Sequence, residues 1–270
     1  MAYEWIVDGL DETWRSINEL VGSLLPAQFD AATACPGWTV RDVLSHLIGF
    51  ELMVQGVVPP TPTGAYGPHV KNPIGELNEA FVDQRRDRSG AQVRQEFRDV
   101  SSRSLSILRA KSDDEWEIVG WSPEGNVPFH RFQETRLLDS WIHLQDLRDA
   151  LLEPQDDHGV GEEVVVNRFE AAIPYVVGRR VNAPDDTTVR FNLLGRLART
   201  ISVRVVNGRA VAMGTLQEAP TVEITTPVAL FWRRAAGRIT GEAFLAASAT
   251  QVRGSYALAN QIAQQMAIMI

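Results

Sequence analysis

The sequence predicts an α+β chain with its helices first. An up-down bundle of four helices should be followed by a smaller domain of helices and antiparallel sheet. Three observations carry this reading. Through the first half, apolar residues recur at three- and four-residue steps, the period of an amphipathic helix. Past Pro184 the period becomes two, that of half-buried strands. Between them, Pro154-Gln155-Asp156-Asp157 interrupts the pattern and places a boundary, giving residues 1–155 and 156–270 as the expected domains.

Each element has its own local warrant. Trp5, Leu10, Trp14, Ile17, Leu20, Val21, Leu24 and Leu25 form the apolar stripe of a first helix, which Pro26 helps to stop. Cys35-Pro36-Gly37-Trp38 is a turn. Thr39 follows as an N-cap, with Asp42 three residues on in the Glu/Gln place of a capping box. The helix it opens carries Val40, Val43, Leu44, Leu47 and Ile48 on its apolar face and includes His46. Residues 57–73 contain Pro59, Pro60, Pro62, Pro68 and Pro73 and read as a long loop, of the kind that is functional or mobile. A charged periodic run from Glu76 to Arg109 predicts one long helix with a possible break at Ser89-Gly90. Ser122 to Val127 reads as a turn, and Phe129 to Leu152 as a strong helix. Glu162 to Val177 predicts a further helix, assigned to the C-terminal domain. Thr188–Leu193, Thr200–Val206, Arg209–Met213 and Pro220–Thr225 are expected strands, with Asn207-Gly208 as a hairpin turn. Pro227 to Ala236 predicts a helix with proline in its first turn, and Tyr256 to Met269 an apolar closing helix. Helices on one face of a small sheet are the expected packing.

The bulk properties exclude several functions. The 270 residues are 44% hydrophobic, ample for a core and far from a disordered composition. Thirty-four acidic against 26 basic residues leave a net charge of -8, which argues against a nucleic-acid partner. Lys71 and Lys111 are the only lysines, which we read as a compositional bias toward Arg. Cys35 is the one cysteine, so an intrachain disulfide is impossible and a cysteine-built zinc site is excluded. The first ten residues carry acids and no apolar signal core, and no stretch approaches the ~20 apolar residues of a membrane span. A soluble, cytoplasmic protein with no membrane partner is expected, as monomer or homodimer.

The candidate chemistry lies in His46, Asp139 and His143. Asp139 and His143 stand at i and i+4, on one helical face. Two imidazoles and a carboxylate can hold a divalent metal and leave positions free, as catalytic sites do. Inward-facing side chains from different helices are how bundles build such sites. The competing reading of the same residues is a hydrogen-bonded core histidine and a surface Asp–His pair.

The run Cys35-Pro36-Gly37-Trp38-Thr39-Val40-Arg41-Asp42-Val43-Leu44-Ser45-His46-Leu47 resembles the signature of the mycothiol-dependent maleylpyruvate isomerase family. A second segment, Asp139-Ser140-Trp141-Ile142-His143-Leu144-Gln145-Asp146, resembles that family's carboxylate-x-x-x-His-x-x-Asp element. Phe231-Trp232 and Ala236-Gly237-Arg238 resemble parts of its C-terminal domain, so the resemblance runs along essentially the whole chain. It implies a DinB-like metal-binding bundle followed by a sterol-carrier-like domain. It implies that His46, Asp139 and His143 are the metal ligands, with zinc as the default ion and mycothiol as thiol cosubstrate. The family usually has Glu where this chain has Asp139, shorter by one methylene, a reach difference of ~1.5 Å.

The function so implied is a metal- and mycothiol-dependent thiol transferase or isomerase acting on a small electrophile. The alternatives are a non-catalytic ligand-binding or regulatory protein that keeps the fold, and a hydrolase using metal-activated water. Asp146, three residues after His143, could orient a ligand imidazole, or could be a surface carboxylate paired with Arg. The resemblance makes Arg238 a candidate for a substrate or thiol carboxylate, against an interdomain salt bridge. Trp38 could line the pocket mouth or anchor the turn by packing. Cys35 has no His or basic residue near it in sequence, which argues against a nucleophile. His69, in the proline-rich loop, could cover the site; His130 and His158 read as surface or turn residues.

Overall fold

The structure is a computed structural model that describes every residue except Met1, Ala65, Asp156, Asp157, Thr215, Gln217 and Ile270. The chain is helices first and a mixed sheet after, α+β as expected. It forms two compact units, Met1–Val164 and Val165–Ile270. The expected division between residues 155 and 156 falls against Asp156 and Asp157, outside the described residues.

In the first unit, α1 (Glu4–Gly22), α2 (Val40–Val54), α4 (Gly90–Arg109) and α6 (Phe129–Leu151) are the long helices. α1 and α2 each pack on both α4 and α6, which closes a four-helix ring. Its core includes Ile6, Leu10, Trp14, Ile17, Val43, Leu44, Val93, Phe97, Leu137 and Ile142, all buried. A short 3-10 turn, Pro26–Asp30, leads from α1 toward the site turn.

The helical run expected over 76–109 is two helices, the second starting at Ser89-Gly90, where the sequence offered a break. α3 (Pro73–Asp83) begins at an Asn72 N-cap and ends before the Gln84–Ser89 link. α4 then starts anew at Ser89, whose hydroxyl accepts from the Gln92 N–H while Gln92 reaches back to the Ser89 N–H. That capping box is a helix start, so it separates the two runs. α3 lies on α2 at Gly49, where an added Cβ would fall 2.1 Å from Cγ of Phe81. The turn expected over Ser122–Val127 is part of a small hairpin of β1 (Val119–Ser122) and β2 (Gly125–Pro128), which the four-residue α5 (Asp113–Trp116) precedes.

α7 (Gly159–Tyr175) crosses from the first unit into the second and continues as a π turn to Arg180. The second unit contains β3 (Thr188–Leu194), β4 (Arg199–Val206), β5 (Arg209–Met213), β6 (Val222–Pro227) and β7 (Gln251–Gly254), ordered β5-β4-β3-β6-β7. Asn207 and Gly208 both take positive φ at the β4–β5 hairpin, the requirement of a primed turn. The sheet is not antiparallel throughout: β6 runs parallel to β3, with Phe191 opposite Ile224, while the other pairings are antiparallel. With β5 on the far side of β4, the chain returns past both strands to pair on the open side of β3. Val189, Phe191 and Leu193 alternate as buried residues along β3, as the period of two requires. α8 (Val228–Ala235) packs on β3 and β6, and α10 (Tyr256–Gln265) on β6, β7 and α9 (Gly241–Ala246).

Candidate metal centre

The site starts with the cap of α2. The Thr39 hydroxyl accepts from the Asp42 N–H at 3.3 Å, and the Asp42 carboxylate accepts from the Thr39 N–H at 2.9 Å. This reciprocal box fixes where α2 begins and therefore which way His46 points two turns in. His46 is buried, 3% exposed, among the apolar residues of α2. On α6, Asp139 and His143 are one turn apart, and His143 is 4% exposed.

The structure brings the three together. Nε2 of His46 lies 3.1 Å from Oδ2 of Asp139, and Nε2 of His143 lies 3.5 Å from Oδ1 of the same carboxylate. One donor atom from each residue falls within 4.8 Å of the others. Asp139 thus spans two imidazoles despite its shorter side chain, and 26% of that side chain is exposed, the open side of the cluster. Burial opposes its charge, yet the imidazoles of His143 and His46 hold its carboxyl well below the usual carboxylate range. Burial likewise opposes a charged His143, but Asp139, Asp146 and Cys35 together raise its pKa well above the ordinary imidazole value. The cluster is therefore an ion pair, a carboxylate beside an imidazolium, and a metal cation would have to take the place of the Nε2 proton of His143.

Around these donors stands a second layer. Oδ2 of Asp146, 1% exposed, lies 3.0 Å from Nδ1 of His143, the geometry of an acceptor that fixes a ligand imidazole. Trp38 packs on both rings, with centroids 5.1 Å from His46 and 6.2 Å from His143, and Phe50 meets His46 edge-on at 5.3 Å. Glu79, buried on α3, accepts from the Trp38 indole at 2.5 Å, from Nη2 of Arg86 at 3.0 Å, and lies 2.7 Å from Nε2 of His69. Burial raises the Glu79 pKa, but these hydrogen bonds outweigh it and lower the pKa overall. His69 also lies over the turn: Gly37 is at φ 82°, and a Cβ there would fall 3.0 Å from the His69 ring, a tight contact. The proline-rich loop therefore sits against the Cys35–Trp38 turn through His69.

Cys35 has neighbours in space that its sequence surroundings do not show. No His stands near it in the chain, but the fold places its Sγ 3.9 Å from Nδ1 of His143 and 3.4 Å from Oδ2 of Asp146. One cysteine cannot build a multi-thiolate zinc site, but it can be one ligand of a mixed set. The sequence also offered no signal for Glu79, one acid in a charged helix. Arg238 lies in the second unit, where its Nη1 donates to the Ala236 carbonyl at 2.8 Å. His130 stacks on Tyr3 at 4.8 Å, and neither it nor His158 joins a metal-competent cluster among the described residues. Among those residues no helix is long and apolar enough to cross a membrane.

Residues 10–148 match the family model described as the mycothiol maleylpyruvate isomerase N-terminal domain. The chain is similar in structure to the crystal structure of the mycothiol-dependent maleylpyruvate isomerase, with a TM-score of 0.58, 17% identity and 93% of each chain covered. A histidine-to-alanine mutant of that isomerase gives a TM-score of 0.56 at 18% identity, covering 88% of this chain and 90% of the other. At such identity the likeness is one of fold. No curated protein matches the chain at a significant level.

Proposed function

We propose that this chain, which belongs to the mycothiol maleylpyruvate isomerase N-terminal domain family, is a metal-dependent enzyme that uses a low-molecular-weight thiol to transfer to, or isomerise, a small electrophile. The observation that carries the reading is the convergence of His46, Asp139 and His143 on one point. Two imidazoles and one carboxylate suit a first-row divalent ion, zinc by default, and three protein ligands leave room for an exchangeable one. Such an ion, when bound, supplies the positive charge that keeps a thiol in its nucleophilic thiolate form. The thiol of the resembled family is mycothiol.

The chain's own residues do the positioning. With an ion bound, Asp146 would accept the one proton left to His143, on Nδ1, and leave Nε2, which faces Asp139, to the ion. Asp139 supplies the anionic ligand, and its exposed flank is the side from which a thiol can approach. Trp38 and Phe50 cover the imidazoles with apolar surface and keep water from the rest of the donor set. Glu79 pins the Trp38 indole in that position. Arg238, with its planar fork of donors, is the proposed partner for a carboxylate of thiol or electrophile.

The test is spectroscopic. Mycothiol added to the cobalt-substituted protein is expected to give a thiolate-to-metal charge-transfer band that His46→Ala abolishes. Turnover of an electrophile is expected to require the thiol. A metal-loaded protein that shows no spectral change at saturating thiol, and hydrolyses substrates without it, would replace this reading with a hydrolase. Neither response would leave a ligand-binding protein of the same fold.

A further inference from the structure

His143 faces donors on both sides of its ring. Nε2 looks toward Asp139 and His46; Nδ1 looks toward Asp146 at 3.0 Å and the Cys35 sulfur at 3.9 Å. Cys35, Asp146 and His143 each offer a ligand atom, and these lie within 4.8 Å of one another, as the first trio does. The two sets differ in chemistry. The first is nitrogen and oxygen only; the second contains a thiolate-forming sulfur, which selects soft, thiophilic cations. The second set is also shielded, with Asp146 1% and His143 4% exposed and Cys35 partly so.

We infer that Cys35, Asp146 and His143 form a second metal site, specific for soft cations, that shares His143 with the first and is occupied in its place. The exclusivity follows from the ring's single proton. An ion in the first set takes Nε2, and the proton stays on Nδ1, where Asp146 accepts it. An ion in the second set takes Nδ1, and the proton moves to Nε2, facing Asp139. Holding both ions at once would require the doubly deprotonated imidazolate. Entry of the soft ion releases the thiol proton to solvent and forms the sulfur–metal bond, with no change of oxidation state. A thiophilic ion would thereby put a proton on the nitrogen that the first site needs and displace its metal. This exclusivity rests on the proposed first site; the soft-cation site itself does not.

Cadmium is the probe, and the sole cysteine makes the readout unambiguous, since any sulfur-to-cadmium charge-transfer band must come from Cys35. Metal-free wild type titrated with cadmium is expected to develop that band with one ion per chain. Cys35→Ser should lose the band and still hold one ion in the first set. His46→Ala, or Asp139→Asn should the former not fold, should keep the band. In the zinc-loaded protein the band should grow only as zinc is released, in one-to-one exchange. Absence of the band in wild type would overturn the site, and a full band with two ions per chain would overturn the exclusivity. A normal wild-type band with no metal bound to Cys35→Ser would instead refute the first site and leave the second standing.

Discussion

At the scale of single residues, the candidate centre is a problem of proton placement solved by neighbours. His143 can serve as an Nε2 ligand only if its other nitrogen keeps the proton, and Asp146 stands where it can hold it. Asp146→Asn, which keeps the shape but weakens the acceptor, is expected to lower metal affinity by about 10–100-fold, measured by competition with a chromophoric chelator. Glu79 acts one step further out. Its depressed pKa means that its ionised form stabilises the fold: the contribution is complete above the unfolded-state carboxylate value, about 4.3, and is lost as pH falls through the lower folded value. Denaturant titrations between those values should show a smaller pH slope for Glu79→Gln than for wild type; identical slopes would remove Glu79 from this role. The three primary candidates were legible in the sequence because two obey helical spacing and the third lies in a long motif. The neighbours of Cys35 and the role of Glu79 were not legible because their partners are 108 and 41 residues away, respectively, and only tertiary packing brings them close.

At the scale of elements, α2 and α6 bring the site together, and two features set how they meet. One is the cap at Thr39, whose loss in Thr39→Ala should cost about 1 kcal/mol in chemical denaturation. The other is the ion pair between Glu51 on α2 and Arg136 on α6, both buried, in which Arg136 Nε donates to Glu51 Oε1 at 2.8 Å. Removing one member leaves a buried charge without its counter-ion, so Glu51→Ala should cost about 3–5 kcal/mol. The double variant Glu51→Leu with Arg136→Met should recover most of that loss, and failure to do so would mean that the pair is not the source. The long helices were legible because several turns of apolar spacing repeat the same signal. α5 and α9 escaped notice because four and six residues carry less than two helical turns, and β7 because its four residues allow only a brief alternation. The parallel pairing of β3 with β6 escaped for a different reason: alternation tells which face of a strand is buried, not which strand lies beside it.

At the scale of the whole molecule, a metal that binds only the folded first unit must stabilise it. Free ion at one hundred times its Kd should add about 2.7 kcal/mol, seen as a raised midpoint of unfolding that His143→Ala does not share. Amides of α2 and α6 should gain most protection from hydrogen exchange on loading, because those helices carry the ligands. The helices-then-sheet order of the chain was readable from the change of period near Pro184, while the crossing of α7 from one unit to the other was not, since its apolar spacing continues unbroken through residues 164 and 165. Elemental analysis of the purified protein, in wild type and His143→Ala, tests the metal centre most directly. One divalent ion per chain in the wild type and a small fraction of that in the variant is the expected result; equal metal content in the two proteins would contradict it.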